Sequence, residues 1–148
     1  NVRLGLNGRM DTLQAAILLA KMEIFPDEIE ARQQVAHWYA ERLSGVADII
    51  LPVVESGCVS AWAQYCVMLS NGNRDAVAAH LKQEGIPTNI YYPKPQHCLS
   101  VFADLGYAPE HMPAALHASR TILALPFHPY LTESTVSEVT DALKETLS

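Results

Sequence analysis

Three groups of residues in this sequence carry side chains able to do chemistry. Near the start, LGLNGRMD (residues 4–11) sets the amide of Asn7 and the guanidinium of Arg9 on either side of Gly8, directly ahead of an apolar run. A polar loop before a helix offers free backbone N–H groups and the positive end of the helix dipole, and with a cation beside it this suits an anion. The same residues also make an ordinary solvated turn, which chemistry alone favours. In the middle of the chain, NIYYPKPQH (89–97) gathers Tyr91, Tyr92, Lys94 and His97 in a stretch stiffened by Pro93 and Pro95. Chemistry allows either a binding loop or a packed surface turn there. The third group is His97, Cys98, His111 and His117, the densest part of a set of six histidines and three cysteines. Their spacings match no zinc pattern, and adjacent His97 and Cys98 would face opposite sides of a strand, so no metal site is expected. No catalytic residue is assigned either. Cys98 with a distant His matches no nucleophile motif, and the glycines do not form a phosphate-binding loop.

The elements that must hold these groups can be read from periodicity. Asp11 is a candidate N-cap with Gln14 as its capping-box partner, so a helix begins near Thr12. Leu13, Ala16, Ile17 and Ala20 form one apolar stripe, and Ala15, Leu18 and Leu19 make most of the remaining circumference apolar. Such a helix must be buried on more than one side. Pro26 interrupts the pattern and Asp27 restarts it, giving two helices or one kinked helix between 12 and 43, stopped by Gly45. DIILPVV (48–54) and SAWAQYCVML (60–69) read as strands, residues 74–84 as a helix capped by Asn73, and IPTNIYY (86–92) as a β-rich run. Residues 93–113 form a long ordered loop with one helical turn near 99–105. Pro113 opens a short helix to about Leu123, LALPFHPYL (123–131) is a short strand or extended bend, and Thr132 to Leu147 is a surface helix with one apolar face.

Bulk properties exclude several function classes. A chain of 148 residues can bury a real core as one folded unit. No apolar run reaches the roughly 18 residues that a membrane span needs, so no membrane contact is expected. The net charge is −6 with the ten basic residues scattered, which leaves no basic stripe for nucleic acid. Cys58, Cys66 and Cys98 are odd in number and sit among apolar neighbours, which fits buried, reduced thiols and a cytoplasmic location.

At LGLNGRMD and NIYYPKPQH, together with SAWAQYCV, LKQEGIP and LALPFHPYLTE, the sequence resembles the DegT/DnrJ/EryC1/StrS family of pyridoxal-phosphate-dependent sugar-nucleotide aminotransferases. The resemblance runs from about residue 4 to the end, with the motifs in the family's order. It is nearest to members that aminate the 3-keto group of a UDP-linked uronic acid in surface-polysaccharide synthesis. It implies an α/β fold, the small C-terminal domain of a fold-type-I aminotransferase, with a small, mostly antiparallel sheet packed with helices and a long N-terminal helix. Residues 1–148 form one domain, with 1–45 supplying a loop and interface helices and 46–148 the α/β body.

The family's Schiff-base lysine belongs to a region that precedes GLNGRMD, and none of Lys21, Lys82, Lys94 and Lys144 sits in the matching motif. This chain looks like the second part of such an enzyme and is expected to be inactive alone. Asn7 matches the residue that reaches the cofactor phosphate of a neighbouring subunit in a homodimer. Arg9, Tyr91 and Tyr92 match positions near the nucleotide-sugar, with Tyr91 standing where some uronic-acid members carry His, and His97, in the family's proline-rich loop, is a further candidate for binding the substrate. The competing expectation is a free-standing, non-catalytic module that kept the dimerising helix and binds a partner or a nucleotide-sugar.

Overall fold

The computed structural model describes residues 3, 5–6, 8–70 and 72–147. The first helix, α1 (Thr12–Met22), begins where the Asp11 carboxylate accepts the Gln14 backbone N–H at 2.8 Å, the cap that the spacing predicts. That cap matters because no residue of α1 is buried, so packing inside the chain adds little to a short helix that is marginal in water. Replacing Asp11 by alanine should therefore destabilise this helix by about 0.5–2 kcal/mol. The change would be read as faster amide exchange at residues 14–18 with the protection of the sheet unchanged.

The expectation that α1 is buried on more than one side does not hold within this chain. Leu13 and Leu19 are each 72% exposed and Met22 is 64% exposed, because among the described elements α1 packs chiefly against the next helix. That helix, α2 (Phe25–Leu43), is separate from α1, with the break at residues 23–24. Pro26 lies inside its first turn, where a missing N–H costs nothing and the fixed φ suits a helix. The helix stops before Gly45, whose φ of +76° most side chains would resist.

The sheet has three strands, β1 (Ile49–Ile50), β2 (Tyr65–Leu69) and β3 (Ile122–Leu125), antiparallel in that spatial order. Tyr65 pairs with Leu125 and Val67 with Leu123, so alternate residues of β2 and β3 share one face. That face meets Val35, Tyr39 and Leu43 of α2, Val77 and Leu81 of α3 (Arg74–Gln83), and Val136, Val139 and Leu143 of the last helix, α5 (Glu133–Leu147). These positions recur at helical spacing on each helix, and their burial supplies the core. The remaining helix, α4 (Pro113–Thr121), runs directly into β3.

Two expected strands are shorter than predicted, and one is reduced to a single bridge. Pro52 cannot donate to a ladder, and β1 ends before it. Trp62 has a φ of 46°, which ends any extended run before β2 can begin. Its conformation is held from three sides: its N–H reaches Ser60 Oγ, its indole N–H donates to Gln33 Oε1 at 2.9 Å, and its carbonyl accepts from Arg32 at 2.9 Å. In the IPTNIYY run only Asn89 pairs with the sheet, exchanging two backbone hydrogen bonds with Ala124. The 93–113 stretch contains three short 3-10 turns, Gln96–Cys98, Ser100–Leu105 and Pro109–His111. No described helix is long and apolar enough to cross a membrane.

Candidate ligand-binding surface

The rigid edge of the sheet places the proline-flanked loop. Asn89 is pinned to β3 by its bridge to Ala124, so the two tyrosines that follow leave the sheet at a fixed point. They then part company. Tyr91 lines a cavity of about 650 Å³ with Asn89, Gln64 and His128, whose charged groups are the carboxylates of Glu84 and Glu138. Tyr92 lines a different cavity of about 380 Å³ with Lys94 and Gln96, walled by Ala115, Ala118 and Ile122. Both rings are accessible, Tyr91 at 48% and Tyr92 at 73%.

Of the other expected site residues, Arg9 and His97 line neither cavity. Asn7 lies outside the described residues, and Arg9 is exposed on the loop before α1. His97 is buried, with its Nε2–H donating to the Pro109 carbonyl at 3.1 Å, so it ties two 3-10 turns together. His111 Nδ1 accepts the Ala108 N–H at 3.3 Å. Both histidines are thus committed to the shape of the loop, and among the described residues no group of three His, Cys, Asp or Glu is placed to hold a metal ion. The three cysteines are free thiols, and the expectation of burial fails for Cys58, which is exposed, while Cys66 and Cys98 are half-buried. Burial pushes the Cys66 thiol up.

Phe127, which lines the Tyr91 cavity, belongs to an aromatic stack. Tyr65 lies 4.9 Å from Tyr39 and 5.9 Å from Phe127, ring centre to ring centre, with the Arg32 guanidinium 5.9 Å from the Phe127 centroid. The Tyr39 hydroxyl donates to the Pro126 carbonyl at 2.7 Å, and the Tyr130 hydroxyl donates to the Glu28 carboxylate, so α2 grips both ends of the 126–130 bend. Burial raises the Tyr65 phenol to about 12, and burial together with the Tyr65 charge raises Tyr39 further. In the unfolded chain both phenols ionise near their ordinary value of about 10. The unfolded state therefore loses protons first as pH rises, so stability is whole below about pH 10 and falls between about 10 and 12. Urea midpoints across that range should drop steeply, and the Tyr39→Phe, Tyr65→Phe double variant should flatten this part of the profile.

The order of these elements, with a polar loop, two helices, a small antiparallel sheet and a proline-flanked tyrosine loop, can be set beside known proteins. The profile of the DegT/DnrJ/EryC1/StrS aminotransferase family matches residues 1–144. The chain belongs to this family. Among its members, the chain is 41% identical over 143 residues to a UDP-2-acetamido-2-deoxy-3-oxo-D-glucuronate aminotransferase of Pseudomonas aeruginosa, covering 97% of this chain and 38% of the relative. It is 37% identical over 144 residues to a UDP-N-acetyl-3-dehydro-alpha-D-glucosamine 3-aminotransferase of Acidithiobacillus ferrooxidans, with coverage of 97% and 38%. A crystal structure of a family member from Brucella abortus superposes with a TM-score of 0.83 at 41% identity, covering 98% of this chain and 38% of that one. The chain thus spans about 38% of the length of the relatives it matches. Its fold is that of the family's C-terminal domain.

Family membership raises the question of whether these residues fit the family's cofactor. A lysine that anchors an aldehyde must be held where its amine sheds a proton easily, which calls for burial or a neighbouring cation. Lys21, Lys82 and Lys94 are exposed, and Lys144 is partly exposed within 3.9 Å of Asp141. The lysines of this chain do not fit covalent attachment of pyridoxal phosphate, and no step is assigned through it. What motif reading missed is the company each tyrosine keeps. His128 and Gln64 join Tyr91 only through tertiary structure, whereas Tyr92, Lys94 and Gln96 stand at every second position of the sequence, a signal present in the chain itself.

Proposed function

We propose that this chain serves as the C-terminal domain of a pyridoxal-phosphate-dependent aminotransferase acting on a UDP-linked 3-keto-sugar. The observation that carries the reading is the 41% identity, over nearly the whole chain, to the Pseudomonas aeruginosa aminotransferase whose name specifies such a substrate. In this reading residues 1–148 fold as one domain, with residues 1–45 contributing loop and interface helices and 46–148 the α/β body. The enzyme works as a homodimer in the cytoplasm and supplies surface-polysaccharide synthesis. Asn7 reaches the cofactor phosphate held by a second subunit, while Arg9, Tyr91 and Tyr92 contact the nucleotide-sugar across the interface. Charge-assisted pairing of a guanidinium with a phosphate or carboxylate suits Arg9. His97 acts one step back, by holding the shape of the tyrosine loop through Pro109. The exposed apolar faces of α1 support an interface, since contiguous apolar surface on this scale marks a binding surface.

The surface positions of all four lysines favour a second reading for the chain taken alone, a non-catalytic dimerisation or ligand-binding module. Equimolar pyridoxal phosphate added to the 148-residue chain should give no saturable change in cofactor absorbance. A saturable, stoichiometric change would show an anchoring lysine within the chain and overturn the division of labour proposed.

A further inference from the structure

We propose that Cys58 and Cys66 form a reactive thiol pair, in which Cys58 exchanges with a small-molecule disulfide and Cys66 resolves the product into an intrachain disulfide. The two thiols line one cavity of about 540 Å³, beside the segment that leads from β1 into β2. Cys98, the third cysteine, lies apart in the 3-10 turn Gln96–Cys98 and does not line it. The pair is asymmetric. Cys66 stands on β2 between Tyr65 and Val67, whose side chains enter the core, so its own projects from the opposite face. It is half-buried, its thiol donates to Gln64 Oε1 at 3.8 Å, and burial disfavours its ionisation. Cys58 is exposed, beside the exposed Val59, in a turn closed by its own N–H on the Glu55 carbonyl at 3.0 Å. No helix or strand forms between Leu51 and Gln64. Cys58 can therefore adjust to the separation of about 4.4–6.8 Å between α-carbons that a disulfide demands, while Cys66 stays on its strand.

Access decides the order, because exchange needs a thiolate that the incoming disulfide can reach. The Cys58 thiolate attacks one sulfur of the added disulfide, its S–S bond breaks and one thiol leaves. Cys66 then gives its proton to solvent and attacks the Cys58 sulfur, which releases the second thiol. Together the cysteines lose two electrons and the added disulfide gains them; the two protons pass through solvent to the leaving sulfurs. The closed form would tie the 51–64 segment to β2, and in a reducing compartment it would last only while oxidant is present. This chemistry is independent of transamination.

The test is incubation of the full chain with cystamine, whose ammonium groups suit a cavity with Glu55 as its charged lining group. Intact mass and peptide mapping follow the product under conditions where the far-UV spectrum is unchanged. The parent should end with a Cys58–Cys66 disulfide and no retained cysteamine, and a thiol reductant should reopen it. Cys66→Ser should stop at a stable mixed disulfide between Cys58 and cysteamine. Cys58→Ser should slow modification of Cys66 by more than about tenfold, since the remaining thiol is poorly accessible, while Cys98→Ser leaves the closure intact. A parent that keeps cysteamine on Cys58 without closing, a disulfide that includes Cys98, or closure only in urea would overturn the proposal.

Discussion

Replacing Tyr65 by alanine is expected to lower the unfolding free energy by about 3–5 kcal/mol. The side chain is 1% exposed on β2 and sits at the middle of the aromatic stack, 4.9 Å from Tyr39, 5.4 Å from Trp62 and 5.9 Å from Phe127 between ring centres. Truncation removes the buried ring and leaves a void lined by three aromatic neighbours, two of them fixed by hydrogen bonds. Tyr39 is tied to Pro126, and Trp62 to Gln33, so the site cannot collapse to fill the space. The loss also frees Trp62 from its packing partner while its left-handed backbone still has to be maintained. Against a typical total of about 5–15 kcal/mol, such a variant would lie near the folding threshold. Tyr65→Phe keeps the ring and should cost under about 1.5 kcal/mol. Urea midpoints at neutral pH distinguish the two, and equal losses for both variants would show that the ring stack is not what holds this region.

Placing glutamates at Leu13 and Ile17 is expected to abolish self-association while leaving the fold intact. The two positions are one helical turn apart on α1 and are 72% and 51% exposed, and α1 has no buried residue, so charges there disturb nothing inside the chain. Glutamate is also a good helix former. If the apolar surface of α1 is covered by a second subunit, each carboxylate would have to leave water without a partner, which costs several kcal/mol. Two of them would weaken the dimer by more than about a hundredfold, at roughly tenfold per 1.4 kcal/mol. Sedimentation equilibrium at micromolar concentration should show the parent chain as a dimer and the double variant as a monomer with the same far-UV spectrum. An unchanged dimer would place the interface elsewhere.

The helices were legible in the sequence because their signals are local. Asp11 as N-cap, Pro26, Gly45 and the repeats of α2 and α5 each act within one or two turns, and each does in the structure what its chemistry predicts, although of the expected capping box only the bond from the Gln14 backbone to Asp11 is recorded. The strands were less so, since a strand is completed by its partner. IPTNIYY has the composition of a strand, yet only Asn89 finds a free edge beside Ala124. Trp62 shows the same limit from the other side: its backbone is set by Arg32, Gln33 and Ser60, two of them about 30 residues away. The apolar circumference of α1 was legible as a composition, but whether anything covers it depends on surfaces outside a single copy of the chain. The tyrosine loop was visible as a stiff, chemically rich segment. That Tyr91 and Tyr92 serve separate cavities of opposite charge could be read only once the sheet had fixed where the loop begins.

The most direct test of the account is the amination assay itself. The whole gene product that contains this chain, supplied with pyridoxal phosphate and an amine donor, should convert a UDP-linked 3-keto uronic sugar to its 3-amino counterpart, followed by mass spectrometry. The account predicts that this conversion requires the cofactor and is absent when residues 1–148 are supplied alone. Conversion by the 148-residue chain alone, or failure of the whole gene product to aminate any UDP-linked 3-keto-sugar, would contradict it.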